Sequence, residues 1–230
     1  MLFRSLSALH PRYQPSQQAR VMSELWPRLL SLAELAREYE IGLHIDAEES
    51  ERLELSLCLL KALCEAPGLQ GWQGIGFVVQ AYQKRAPYVI DRLIDLATRT
   101  EHRLMIRLVK GAYWDAEIKR TQQEGQVDYP VFTRKAHTDV SYLVCAQKLL
   151  AAPKQIYAEF ATHNALTLAM VYQMAEQAFP NYQSDGQYEF QCLHGMGEAL
   201  YSQVVGNAHL KRHCRIYAPV GSHEDRKSVV

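Results

Sequence analysis

The sequence predicts an α/β fold of repeated βα units around a parallel sheet, and three observations carry that expectation. Short apolar or β-branched runs alternate with stretches of helical period. Most of these runs recur about every 30 residues, close to the size of one βα unit. No linker rich in Pro, Gly or Ser and no low-complexity tract interrupts the series. The candidate strands are residues 42–46, 76–80, 104–109, 157–161, 189–193 and 215–218, with residues 6–9 as a seventh.

Between these runs, Val21, Leu25, Leu29, Leu32 and Ala36 recur at three- or four-residue spacing, as do Leu53, Leu57, Leu60 and Cys64. Each set forms one helical face able to pack on a sheet. Pro87 stands where a first helical turn opens, ahead of Val89, Ile90, Leu93, Ile94 and Ala97, and its missing N–H costs little there. The longer interval between Val109 and Tyr157 holds extra helix, with Val140, Leu143 and Val144 on one face.

With 230 residues and 48% hydrophobic composition, the chain can fill one sizeable core. The reading is a single domain over residues 1–225, with 226–230 outside it. Lys plus Arg number 25 and Asp plus Glu number 25, without a basic run, so the electrostatic footprint of a nucleic-acid binder is missing. The five cysteines show no C-x-x-C spacing and lie mostly in apolar stretches, which fits a reducing cytosol. No apolar run reaches the roughly 18 residues of a spanning helix, so any membrane contact is expected to be peripheral.

Polar residues cluster at the ends of the candidate strands: Asp46, Gln80, Arg107 with Lys110, His163 and His194. Singly, such residues are usually helix caps or satisfied turn residues; as a set able to face one cavity, they point to a site at the carboxyl ends of a parallel sheet. Arg107 interrupts an otherwise apolar strand and needs a partner, either an internal carboxylate or an anionic ligand. Lys110 reads as a Schiff-base lysine or as a cofactor contact. His44, Asp46, His163 and His194 form the alternative of a metal site, without ligand spacing of the H-E-x-x-H kind. Gly71, Gly74 and Gly76 precede a strand but lack the G-x-G-x-x-G pattern of a dinucleotide loop. Tyr113 and Trp114 follow the third strand end, where large rings can wall a site.

Successive motifs resemble one family. They are Leu6-Ser7-Ala8-Leu9-His10-Pro11-Arg12-Tyr13, Ile45-Asp46-Ala47-Glu48-Glu49 and Val79-Gln80-Ala81-Tyr82-Gln83-Lys84-Arg85. The order continues through Arg107-Leu108-Val109-Lys110-Gly111-Ala112-Tyr113-Trp114-Asp115, Phe160-Ala161-Thr162-His163-Asn164, Phe190-Gln191-Cys192-Leu193-His194-Gly195-Met196-Gly197 and Arg215-Ile216-Tyr217-Ala218-Pro219-Val220-Gly221. Over nearly its whole length the chain resembles the proline dehydrogenase domain of bifunctional proline utilisation A flavoproteins.

The resemblance implies an incomplete (βα)8 TIM-like barrel of the proline dehydrogenase type. It implies non-covalent FAD contacted by Gln80, Arg107, Val109, Gly111, Ala112, Trp114, Thr162, His163, Asn164 and Gln191. It places Asp46, Lys110, Tyr113, Leu193 and Tyr217 at the catalytic proline pocket, with Asp46 helping to hold a substrate-binding arginine. The implied reaction is hydride transfer from C5 of L-proline to flavin N5, giving Δ1-pyrroline-5-carboxylate, with electrons passed on to a membrane quinone. The implied location is cytoplasmic, peripheral on the inner face of the plasma membrane, with no metal.

Both ends depart from the family pattern. Ser5 stands where the family has a lysine, after an unfamiliar Met1-Leu2-Phe3-Arg4, so the first strand is expected to be damaged. After Gly221-Ser222-His223-Glu224-Asp225 the chain runs into Arg226-Lys227-Ser228-Val229-Val230 instead of the family's helix with its arginine pair and a final strand. Weak proline binding and low solubility are the expected consequences. Two rival readings remain open at this level: a lyase barrel with Lys110 as its nucleophile, and a barrel remnant that binds no cofactor.

Overall fold

The structure, a computed structural model, describes residues 2–181, 187–205 and 210–218. Their strands are β1 (Leu2–Arg4), β2 (Leu43–Ile45), β3 (Ile75–Gln80), β4 (Leu104–Val109), β5 (Ile156–Ala161), β6 (Tyr188–Leu193) and β7 (Cys214–Tyr217). Their helices are α1 (Leu6–Leu9), α2 (Gln18–Glu24), α3 (Trp26–Glu38), α4 (Leu53–Cys64), α5 (Ala86–Arg99), α6 (Trp114–Gln123), α7 (Lys135–Leu150), α8 (Ala165–Ala178) and α9 (Glu198–Val205). The strands lie in chain order in one sheet, and every neighbouring pair is parallel. Each expected strand from residue 42 onward is present to within a residue at its start, and Pro87 sits in the first turn of α5.

Parity along the strands separates two surfaces. Ile75, Phe77 and Val79, then Leu104, Ile106 and Leu108, then Ile156, Ala158 and Phe160 enter one continuous hydrophobic core with the helices. Each of these side chains larger than alanine contributes about 1.5–3 kcal/mol through burial. The alternate positions face the other way and carry the polar groups His44, Arg107, Glu159, Glu189 and Gln191, all buried.

Contacts made by that second surface show that the sheet is curled. His44 on β2 reaches Glu159 on β5, Nε2 to Oε2, at 3.0 Å. A flat sheet would hold those strands about 14 Å apart, three inter-strand spacings. Gly76 on β3 makes the crossing feasible, because a Cβ there would lie 2.3 Å from the His44 ring.

Two expectations are corrected. Residues 6–9 form a helix because Leu6 and Leu9, three apart, turn to the core while Ala8 is exposed; a strand would have paired Leu6 with Ala8. The first strand is Leu2–Arg4, paired parallel with β2, Leu2 opposite Leu43. On α7, Val140 and Val144 are exposed at 62% and 40%, and the buried face is Thr138, Ser141, Tyr142, Cys145, Ala146 and Leu149. The rotation is set by Tyr142, whose hydroxyl donates to the carbonyls of Leu108 at 3.2 Å and Ala161 at 3.4 Å. Residues 219–230, which include the last three residues of the final family motif and the expected tail, lie outside the described residues. Among the described residues, no helix is long and apolar enough to cross a membrane.

Candidate functional site at the strand ends

The carboxyl ends of β2 to β7 bring together most of the residues singled out in the sequence. Arg107 lies near the end of β4 on the inner surface, 8% exposed, with its guanidinium carbon 4.2 Å from the ring centre of Tyr217 on β7. Its charge reaches Asp46 just beyond β2 and His163 just beyond β5.

Burial pushes the Asp46 carboxyl above its ordinary pKa, and the Arg107 charge offsets part of that rise. Tyr113, at the N-terminus of α6, is raised by burial and then by the Asp46 charge, so its hydroxyl stays protonated. His163 moves the other way: burial, then Arg107, lowers its pKa and keeps the ring neutral. Its Nε2 accepts the Leu193 N–H at 3.1 Å, which places the ring proton on Nδ1 and ties the ends of β5 and β6.

Gln80 is buried, with both ends of its amide on backbone: Nε2 donates to the Glu48 carbonyl at 2.8 Å and Oε1 accepts the Ala112 N–H at 3.1 Å. It therefore links the loop carrying Asp46 to the loop carrying Tyr113. In the second of these loops Gly111 has φ +141°, and a Cβ there would meet the Tyr82 ring at 2.5 Å. Only glycine lets this loop lie flat on Tyr82.

Other candidates are committed elsewhere. Lys110 turns away from the inner surface to α7, where Nζ meets Asp139 at 2.5 Å. Asn164 caps α8, its Oδ1 accepting the Thr167 N–H at 2.9 Å. Trp114 donates its indole N–H to the Phe132 carbonyl at 2.9 Å with the ring 42% exposed. Thr162 is buried, and its carbonyl accepts the Tyr201 hydroxyl at 2.5 Å; the same hydroxyl lies 2.8 Å from the carbonyl of Gln191. Val109 is half-buried at the end of β4. Among the described residues, no group of three or more His, Cys, Asp or Glu side chains is gathered as a metal site.

Below the strand ends lie residues that the sequence reading passed over. Glu159 and Glu189 stand opposite each other on β5 and β6, both fully buried. Arg215 forks onto Glu189 from β7, Nε to Oε1 at 2.7 Å and Nη2 to Oε2 at 2.9 Å. The signal was available: each glutamate interrupts an apolar strand on the inward parity, as Arg107 does.

The sequence profile described as proline dehydrogenase matches residues 4–228. The chain belongs to the proline dehydrogenase family. Among curated relatives, the Bifunctional protein PutA of Klebsiella aerogenes is 68% identical over 222 residues, and that of Rhizobium meliloti 62% over 219. Each alignment covers 95% of this chain and 17% of the relative, so the chain spans about a sixth of their length. Among solved structures, a variant of Bradyrhizobium japonicum Proline Utilization A superposes with a TM-score of 0.90 at 54% identity, over 97% of this chain and 22% of that one. Bdellovibrio bacteriovorus PutA inactivated by N-propargylglycine superposes at 0.89 and 31% identity, over 96% and 22%. The family's TIM-like architecture is thus the one built here, with seven of its parallel strands among the described residues.

Proposed function

We propose that this chain carries the L-proline-oxidising site of a PutA-type flavoprotein, with FAD lying over the carboxyl ends of β4 to β6. The observation that carries this reading is the convergence of Arg107, Asp46, His163 and Tyr217, from four different strands or strand ends, on one inner surface.

The residues present suit a flavin. A buried cation at a strand end matches a ring system that gains negative charge on reduction. The flat loop at Gly111 leaves backbone close to the surface, and Trp114 offers an exposed ring beside it. Arg107, Val109, Gly111, Ala112, Trp114, Thr162, His163, Asn164 and Gln191 would hold the cofactor, while Gln80 fixes the two loops around it. Bound there, FAD supplies the hydride acceptor at N5 and the electron route onward to a membrane quinone.

The chain's own work is binding, orientation and charge. Asp46, Tyr113, Leu193 and Tyr217 wall the place for the L-proline ring. The protonated Tyr113 hydroxyl keeps its proton to donate, and the neutral His163 ring adds no second cation beside Arg107. Arg107 stabilises the charge that arrives during oxidation of the substrate. Lys110 is ion-paired with Asp139 and contributes through the loop it anchors.

Titrating the purified chain with FAD and then adding L-proline tests this reading. Quenched flavin fluorescence on binding and a visible band bleached by L-proline are the expected results, both diminished by Arg107→Met. A chain that leaves free FAD unperturbed, or an Arg107→Met variant that behaves like the parent, overturns it.

A further inference from the structure

The site rests on a second row of side chains, and one of them sits at its hub. Glu189 is fully buried on the inner surface of β6. A carboxylate in that position is costly unless it is neutralised and its lone pairs are filled. Among the described residues, Oε1 takes the Gln191 amide nitrogen at 2.7 Å and Arg215 Nε at 2.7 Å. Oε2 takes Arg215 Nη2 at 2.9 Å and the Tyr157 hydroxyl at 3.1 Å, and faces His213 Nδ1 at 3.2 Å. Burial and then the Glu189 charge keep the Tyr157 hydroxyl protonated as a donor.

The partners matter because of where they lie on their strands. Gln191 is two residues beyond Glu189, and Tyr217 two beyond Arg215, so each pair shares the inward face. β7 is the strand least held by apolar burial: its four residues are half-buried or exposed, with Ile216 64% exposed, whereas β3 is buried throughout. Besides its backbone ladder with β6, β7 is tied on the inner side by the fork from Arg215 to Glu189. The Tyr217 ring over Arg107 thus sits two residues beyond the side chain that Glu189 grips.

We propose that Glu189 is a positioning residue for the strand-end site: by gripping Gln191 and Arg215 together it sets the amide of Gln191 and fixes where Tyr217 lies over Arg107. This rests on the strand-end reading above and extends it to the row beneath. The bland alternative is that Glu189 only adds stability, and the two ideas part in one experiment. Replacing both partners by apolar side chains of similar volume, Glu189→Met with Arg215→Met, removes the two charges together and leaves neither buried without its partner, while the Gln191 and Tyr157 donors lose their acceptor. It also releases Tyr217 and Gln191.

Two readouts apply to the purified chain: the ring-current displacement of the Arg107 side-chain protons by Tyr217, seen by NMR without cofactor, and FAD affinity from fluorescence quenching. The expected result is a folded variant with a lowered urea midpoint, loss of the Arg107 displacement, and FAD binding weaker by about tenfold, the scale on which lost orienting partners are felt. An Arg107 signal unchanged in the double variant overturns the proposal. Should that variant not fold, Glu189→Gln, which keeps volume and one acceptor, is read by the same signal with the same two outcomes. A parent chain that takes up no FAD overturns the strand-end function, while the Arg107 signal still decides the role of Glu189.

Discussion

The Arg107 guanidinium on β4 lies 4.2 Å from the ring centre of Tyr217 on β7, although two whole strands separate them in the sheet. The pair closes the curl at the level where the candidate site begins. A cation over an aromatic face is worth up to about 2 kcal/mol when both are shielded from water. Tyr217→Leu is therefore expected to lower the unfolding free energy by about 1–2 kcal/mol more than Tyr217→Phe, which keeps the ring. Urea unfolding of the three proteins gives the comparison, and equal losses for Leu and Phe would assign the effect to the hydroxyl instead.

Asp46 gives a pH signature. Burial lifts its folded pKa above the ordinary 3.8, so between those two values the folded chain binds more protons than the unfolded one. The stability it contributes is full below 3.8 and is lost as pH rises through the folded value. Asp46→Asn cannot ionise and escapes that loss. The variant is expected to unfold at higher urea than the parent at pH 7, the two midpoints converging below pH 3.8, while proline-dependent bleaching of flavin is weakened.

Gly111 combines φ +141° with a missing Cβ that would strike the Tyr82 ring. Gly111→Ala is expected to cost about 1–3 kcal/mol from the backbone conformation alone, and more from the collision. Adding Tyr82→Leu relieves the collision and leaves the backbone cost, so a double-mutant cycle on thermal unfolding should show coupling between the two sites.

Lys110 separates the oxidoreductase reading from a Schiff-base lyase. Its ammonium sits on Asp139, whose carboxyl is held below the usual range chiefly by that hydrogen bond. An amine engaged by a carboxylate and turned away from the inner surface is poorly placed to attack a carbonyl held there. Borohydride reduction in the presence of pyruvate should leave the Lys110 peptide unmodified by mass spectrometry. A trapped adduct on Lys110 would restore the lyase.

Much of this was written in local patterns. The run 104–109 reads as a strand from its apolar residues alone, and Arg107 betrays the inner surface by interrupting it. The same logic applied to Glu159 and Glu189 would have exposed the second row, since both break apolar strands on the matching parity. Residues 6–9 and the face of α7 misled because apolar content was read without its partner. Leu6 and Leu9 bury at a helical interval, and Tyr142 outranks Val140 and Val144 because its hydroxyl has strand-end carbonyls to meet.

By itself the sequence determined the alternation of strands and helices, the family, and the presence of polar groups at strand ends, because these follow from side-chain type and spacing along one chain. Only the tertiary structure decided which of those groups share a surface. Curling the sheet carries Tyr217 to Arg107 and His44 to Glu159 across intervening strands, and strand parity sends Lys110 outward to Asp139 while Arg107, three residues earlier and so on the opposite face, points in. No spacing in the sequence encodes such contacts, since they depend on closure of the sheet and on the cost of burying each charge without a partner.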